Sequence, residues 1–459
     1  MNIYFINDIH YNNNIINVSS NNNSDIFIKN HLDIINVSSK IKIIIKYNNN
    51  FKKNIIFNLE KLNSKYLEAF IYRIIQGFYT FDKYKQNIKP LQNIYFYVPK
   101  LSNENKKNLM AIIYGSNITR DLINEPSNIS TPDKFSKYSI KFFKNIENVK
   151  IKVYNDTDIK KIGLNLISAV GSSSLNKPRF MIIDYSPPNY KNKVCLIGKG
   201  VTIDTGGYSL KSSKGMNNMY MDKEGASISI NIVYILSKLK YKNRIICICP
   251  LVENIVSNSS IKPNDIIKAY NGQNVEIVNT DAEGRLILAD SLTYACNKYN
   301  PDYIFDFATL TGWSERINCH SSFTYFTTNE KISNKIIEYG EKYGEKNIRI
   351  PAWLEYMSYI KSRIADVKNH GYECKNSEGL MSSLFLMNFI PQNEIVSPGD
   401  MIVTSGLTDN MPRGLNIGTV EYIEKQPLEP FQQAVLKPIA DLSYLTSVSV
   451  IITTTTSQE

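Results

Sequence analysis

The chain has only four histidines, His10, His31, His320 and His370, and no His-Glu-x-x-His pattern. That excludes a zinc site of the two-histidine helical type, so any metal site has to be built mainly from carboxylates. Six cysteines in 459 residues are too sparse for a disulfide framework. Cys247 and Cys249 alternate inside the apolar run 244–252, which reads as a buried strand. A structural zinc site there would need two more Cys or His at suitable spacing. No apolar run approaches the ~20 residues that span a bilayer, so no membrane partner is expected. The N-terminus lacks a basic stretch followed by a long apolar core, so no secretory signal is expected, and the expected location is cytoplasmic.

What is present is globular: 43% of residues are hydrophobic and 21% charged. The length suggests roughly two to four domains. A formal charge of +11 favours polyanions in a general way. The lysines, however, are mixed with Asn, Ile and Tyr throughout, as in residues 47–53, so the excess reads as background composition. A nucleic-acid partner is left open with no specific feature behind it.

Residues 1 to about 150 read as a first α/β unit. Ile41–Lys46 and Asn93–Val98 are strand-like, Lys61–Gln76 has helical spacing, Thr119–Asn128 is a short helical start ended by Pro126, and Thr131-Pro132 opens another helix. From Lys193 strands alternate with helices: strands at Val194–Ile197, Arg244–Val252, Val275–Val278 and Tyr303–Phe307, helices at Ala226–Leu239 and Leu286–Asn297. Such alternation implies a mostly parallel sheet covered on both faces, with ligands gathering beyond the strands' carboxyl ends. Near residue 395 the Asn-rich character nearly vanishes, leaving only Asn410 and Asn416, and strand-like segments such as Met401–Thr404 and Asn416–Val420 replace helices.

Two segments carry chemistry: Gly198–Lys211, continuing to Asp222, and Asn279-Thr-Asp-Ala-Glu-Gly-Arg-Leu286. Each follows a strand, which puts both at the sheet's carboxyl edge and brings Asp204, Asp222, Asp281 and Glu283 into one crevice with Lys199, Lys211 and Arg285. Four such carboxylates raise one another's pKa and need cations nearby. Two divalent ions about 3.5–4 Å apart would supply them. Asp281 and Glu283 alternate, so on an extended loop they would project to one side and, with Asp204, supply bridging ligands. Singly these signals are ordinary, since Asp-x-Glu-x-Arg is usually a solvated turn and Gly198-Lys199-Gly200 lacks the phosphate-loop order. Their joint occurrence is what counts.

The two segments resemble the metal and catalytic signatures of the leucyl aminopeptidases, the M17 metallopeptidases. Residues 77–85, 119–128, 308–312 and 364–369 lie where that family has supporting motifs, and the resemblance runs from about residue 60 to 390. It implies that Lys199, Asp204, Asp222, Asp281 and Glu283 bind two metal ions, Zn2+ or Mn2+, with Lys199 a neutral amine. Lys211 would polarise the scissile carbonyl, and Arg285 would hold a bicarbonate acting as general base toward a metal-activated water. Met219, Thr309, Leu310 and Gly312 would line the substrate site. The implied activity is release of N-terminal residues from peptide substrates, with a leucine-like preference, by a homo-hexamer. The expected fold is α/β, with an N-terminal α/β domain (1–155), a three-layer αβα catalytic domain with a mixed, mostly parallel sheet (156–393), and a short all-β C-terminal segment (394–459).

The chain departs from the family in places. Lys223-Glu224-Gly225 stand where a small apolar stretch is usual, and are expected in a first helical turn facing solvent. Trp313 replaces a small residue and is expected to narrow the pocket, and Lys375–Gly379 departs from a glycine-rich run. The aminopeptidase pattern stops after Met381–Phe389. Gly399–Leu407, Met411–Val420 and Lys437–Leu442 instead resemble the last part of MreC, a rod-shape scaffold, over about 399–451. The tail therefore reads as a joined sequence, natural or artificial. Two rival functions follow: a catalytically inactive oligomeric or nucleic-acid-binding platform, and a scaffold acting through the tail.

Overall fold

The computed structural model describes residues 2–6, 15–20, 24–28, 54–86, 93–318, 322–351, 353–372, 377–390, 398–399, 401–403, 416–424 and 433–438. The strand expected at Ile41–Lys46, the segment 373–376, and His10, His31 and His320 lie outside them. The chain divides into two compact units, residues 1–389 and 390–459.

Five short strands, β1 (Asn2–Ile6), β2 (Ile15–Ser19), β3 (Ile26–Phe27), β4 (Asn54–Asn58) and β5 (Asn93–Tyr97), form a parallel sheet in the order β1-β5-β4-β2-β3. Period-two alternation puts Ile55 and Phe57 in register with Ile94 and Phe96, all fully buried. Onto them packs the helix Ser64–Phe78, which buries Tyr66, Leu67, Phe70, Ile71, Ile74 and Ile75 as one stripe. It begins at Ser64 rather than Lys61 because Asn63 takes the cap, its side chain accepting the Lys65 N–H. The expected short helix at Thr119 is the end of a 22-residue helix, Asn103–Asn124. It stops where Glu125, ahead of Pro126, turns extended.

The larger sheet contains β6 (Val149–Tyr154), β7 (Arg179–Tyr185), β8 (Lys193–Gly198), β9 (Gly200–Asp204), β10 (Arg244–Asn254) and β13 (Tyr303–Phe307), in the order β13-β8-β10-β7-β6 with β9 also on β10. β13, β8, β9 and β10 run parallel, while β7 pairs antiparallel with both β10 and β6, so the sheet is mixed as expected. Met181, Ile183, Cys247 and Cys249 face the helix Glu224–Lys238. Phe180, on the opposite face by alternation, meets Tyr294 of the helix Glu283–Tyr299 edge-on at 5.1 Å. Helices thus cover both faces, and β10 is buried from Ile245 to Asn254. Cys247 and Cys249 are buried free thiols in that strand.

β11 (Ile266–Lys268), β12 (Asn274–Glu276) and β16 (Val367–Lys368) make a separate three-stranded sheet. This corrects one expectation: the segment 279–286 follows a strand of the small sheet, not of the large one. A further pair, β14 (Phe323–Phe326) with β15 (Asn347–Ile350), is parallel. Beside it the Trp313 ring packs with Ile350, Leu380 and Leu384, and a Cβ on Gly379 would fall 2.5 Å from it. Trp313 thus packs against a small core. In the second unit β17 (Met401–Val403), β18 (Asn416–Glu424) and β19 (Gln433–Pro438) pair antiparallel. Among the described residues no helix is long and apolar enough to cross a membrane.

One remote cap ties two layers together. The helix Asn165–Gly171 has no capping side chain of its own at Leu164. Its Leu166 and Ile167 N–H groups donate to Asp290 Oδ2 at 2.8 and 3.3 Å, and the Tyr270 N–H donates to Oδ1 at 2.9 Å. Asp290 is fully buried, where an unpaired N–H costs about 1–3 kcal/mol. Asp290→Ala orphans all three and is expected to cost about 3 kcal/mol in urea unfolding; a loss under ~0.5 kcal/mol would contradict the capping role.

Candidate metal centre

The parallel strands β8, β9, β10 and β13 end along one edge, and the chemistry gathers there. Lys199 stands between β8 and β9, and Asp204 is the last residue of β9. Asp222 follows a short 3-10 turn, Met219–Met221, and precedes the helix Glu224–Lys238. Glu283 is the first residue of the helix Glu283–Tyr299, with Asp281 in the turn before it. Asp281 and Glu283 reach one space through a turn and a helix start rather than by extended alternation, which corrects the expected geometry.

Asp204, Asp281 and Glu283 each offer an oxygen, and the three atoms lie within 4.8 Å of one another. Lys199 Nζ lies 2.9 Å from Asp222 Oδ2 and 3.0 Å from Glu283 Oε1. Lys211 Nζ lies 2.8 Å from Asp204 Oδ2 and 2.5 Å from Asp281 Oδ1. Burial works against both ammonium groups, but the surrounding carboxylates outweigh it and both pKa values rise. Burial pushes the carboxyls of Asp222, Asp281 and Glu283 upward, and Asp204's charge adds to this in each case. Glu283 Oε2 is buried without a hydrogen-bond partner among the described residues. A buried, unpartnered carboxylate oxygen facing other carboxylates has the donor chemistry a hard divalent cation needs.

The glycines of both segments have identifiable jobs. Gly206 sits at φ +85°, a conformation side chains rarely adopt, and turns the chain after Asp204. A Cβ on Gly284 would fall 2.8 Å from Lys199 Nζ, so glycine is what lets the lysine lie along the helix start.

The other expected residues divide. Thr309 Oγ1 donates to Asp222 Oδ1 at 2.6 Å, and its carbonyl accepts from Lys199 Nζ at 3.1 Å. Leu310 and Gly312 follow in the same loop after β13, and Met219 is half-buried in its 3-10 turn. Arg285 is buried and donates through Nη1 to the Asn369 carbonyl at 2.9 Å, while its Nε lacks a partner among the described residues. Burial lowers its pKa to about 10.

Lys223 departs from expectation. Its side chain is fully buried, and Nζ donates to the carbonyls of Ile123 at 3.1 Å, Glu125 at 2.9 Å and Tyr220. The solvent-facing expectation fails because the start of the helix Glu224–Lys238 docks on the C-terminal end of the helix Asn103–Asn124, whose last carbonyls need donors. Burial pulls the Lys223 pKa down to about 8. Glu224 is half-buried.

Sequence reasoning missed the residues that hold the two segments together. Asn254 Nδ2 donates to Asp204 Oδ1 at 2.8 Å and to the Thr280 carbonyl at 3.1 Å. Thr280 Oγ1 donates to the Gly206 carbonyl at 2.6 Å, and the Ser209 N–H donates to that Oγ1 at 2.7 Å. A signal existed for Asn254, a polar residue closing an apolar strand at the ligand edge. Thr280 and Ser209 carry none beyond their place in the motifs.

A mixed αβα sheet with a carboxylate-and-lysine cluster at its carboxyl edge defines an α/β protein with a candidate metal centre. Its fold is similar to that of the bottromycin maturation enzyme BotP in complex with Mn, with a TM-score of 0.71, 24% identity, and coverage of 79% of this chain and 78% of that one. The chain belongs to the cytosol aminopeptidase family, whose catalytic domain matches residues 117–404. It is 40% identical over 282 residues to a probable cytosol aminopeptidase of Chlorobium limicola, covering 61% of this chain and 56% of that protein. To the cytosol aminopeptidase of Rickettsia prowazekii it is 33% identical over 323 residues, covering 68% and 63%. The matched part thus spans less than two thirds of these relatives' length.

Lys223 offers a test of this geometry. A solvent-facing lysine can be replaced within about ±0.5 kcal/mol. Lys223→Met instead removes a donor from three buried carbonyls and is expected to cost about 3 kcal/mol in urea unfolding. An unchanged midpoint would contradict the buried contact.

Proposed function

We propose that this chain is a metal-dependent aminopeptidase that releases N-terminal residues from peptides. The observation that carries the reading is the convergence of one oxygen each from Asp204, Asp281 and Glu283 within 4.8 Å, with a buried Glu283 Oε2 that has no hydrogen-bond partner among the described residues. Membership of the cytosol aminopeptidase family supports it.

Asp204, Asp222, Asp281 and Glu283 would hold two divalent ions, zinc or manganese, joined by Lys199 once its ammonium has given up a proton to become a neutral amine. Ions there would supply Lewis acidity, polarising the scissile carbonyl and acidifying water. Lys211, charged and only partly exposed, would stabilise negative charge developing on the carbonyl oxygen. Arg285 has one buried donor free of partners among the described residues, which suits a bicarbonate as general base. Thr309 orients Asp222 through its hydroxyl, and with Leu310, Gly312 and Met219 would line the substrate side. A leucine-like preference and a hexameric assembly extend the same reading.

The test is hydrolysis of a leucine anilide under zinc or manganese titration. Native chain is expected to turn over only with metal. Glu283→Gln and Lys211→Ala are expected to lower kcat by about 10²–10³-fold. Turnover indifferent to chelation, or none at any metal concentration, would overturn the reading.

A further inference from the structure

We propose that Asn369 is a positioning residue that sets the loop carrying Asp281 and Glu283, and with it the metal affinity of the site. The inference rests on the metal-site reading above. It starts from a motif, residues 364–369, for which that reading has no use.

The small sheet ends just short of the centre. β16 runs parallel to β12, pairing Val367 with Val275 and Lys368 with Glu276. The Asn369 N–H continues the pattern by donating to the Glu276 carbonyl at 3.0 Å. Ile277 still pairs with Asn264 and Asp265, and beyond it the chain turns toward Asp281 with the backbone groups of Val278 and Asn279 needing partners. The Asn369 side chain supplies them. Its Oδ1 accepts the N–H groups of Val278 at 2.8 Å and Asn279 at 3.2 Å. Its Nδ2 donates to the carbonyls of Asn279 at 2.7 Å and Ala282 at 3.3 Å.

That uses two acceptor sites and two donors, the whole capacity of a carboxamide, in a side chain with no exposed surface. A flipped amide would point its N–H groups at two other N–H groups, so one orientation is fixed. The held backbone belongs to the residues around Asp281. The Asp281 N–H in turn donates to Asn279 Oδ1 at 2.8 Å. The Asn369 carbonyl accepts from Arg285 Nη1, so one residue fixes the segment on both sides of Glu283. The contacts need a carboxamide at this reach: glutamine carries the same groups one methylene further out, aspartate keeps the acceptors and loses both donors, and alanine loses all four contacts. Partners that orient ligands in this way typically contribute 10–100-fold to metal affinity or activity.

The experiment compares full-length native chain with Asn369→Ala and Asn369→Asp. Three quantities are read: Mn2+ affinity by calorimetry, kcat and KM for a leucine anilide at saturating Mn2+, and amide hydrogen exchange over residues 276–285 against β10. Both variants are expected to bind Mn2+ about 10–100-fold more weakly and to lose kcat by a similar factor. KM should stay within about threefold, and exchange should rise at 278–282 while β10 stays protected. If Asn369→Ala does not fold, Asn369→Asp carries the test. A purely structural asparagine would lower the melting temperature yet leave Mn2+ affinity and kcat at native values in folded protein, and that result overturns the proposal. If native chain neither binds Mn2+ nor turns over, the functional reading fails, and native-like exchange at 278–282 in the variants then sinks the clasp separately.

Discussion

The site depends on placing like charges together in a space where water cannot screen them. Asp222 and Glu283 are almost fully buried, as is Asp204, and Asp204's charge adds to burial in raising the cost of ionising Asp222 and Glu283. Two lysines answer this charge from opposite sides, Lys199 between Asp222 and Glu283, and Lys211 between Asp204 and Asp281. Cations of higher charge are better suited to the same role, and Glu283 Oε2, without a partner among the described residues, marks where ligand capacity is left over.

Holding such a cluster needs a frame that does not yield to repulsion. The large sheet supplies it through β10, buried along its length and flanked by helices on both faces. Polar side chains then join the loops: Asn254 bridges Asp204 to Thr280, and Thr280 reaches Gly206 and Ser209. Lys223 docks the Asp222 loop on the C-terminal end of the helix Asn103–Asn124.

Much of this was legible from residue patterns. The strands around Val194, Arg244 and Tyr303 and the helices after Ala226 and Leu286 follow from alternation and helical spacing, because burial on one or two faces imposes those periods. The carboxylates and lysines stood out because two segments, each ordinary by itself, occur together and in order. What could not be read was long-range pairing. Nothing local tells that Asp290 caps a helix more than a hundred residues earlier in the chain, or that Lys223 turns inward to carbonyls at 123 and 125. The small sheet under Asp281 was also hidden, since β12 and β16 are only three and two residues long.

The most direct measurement is titration of native chain with Mn2+, followed by calorimetry and checked by anomalous diffraction. The account predicts two ions per chain, both within coordination distance of oxygens from Asp204, Asp222, Asp281 or Glu283. Ions bound elsewhere, or no binding in the millimolar range, would contradict it.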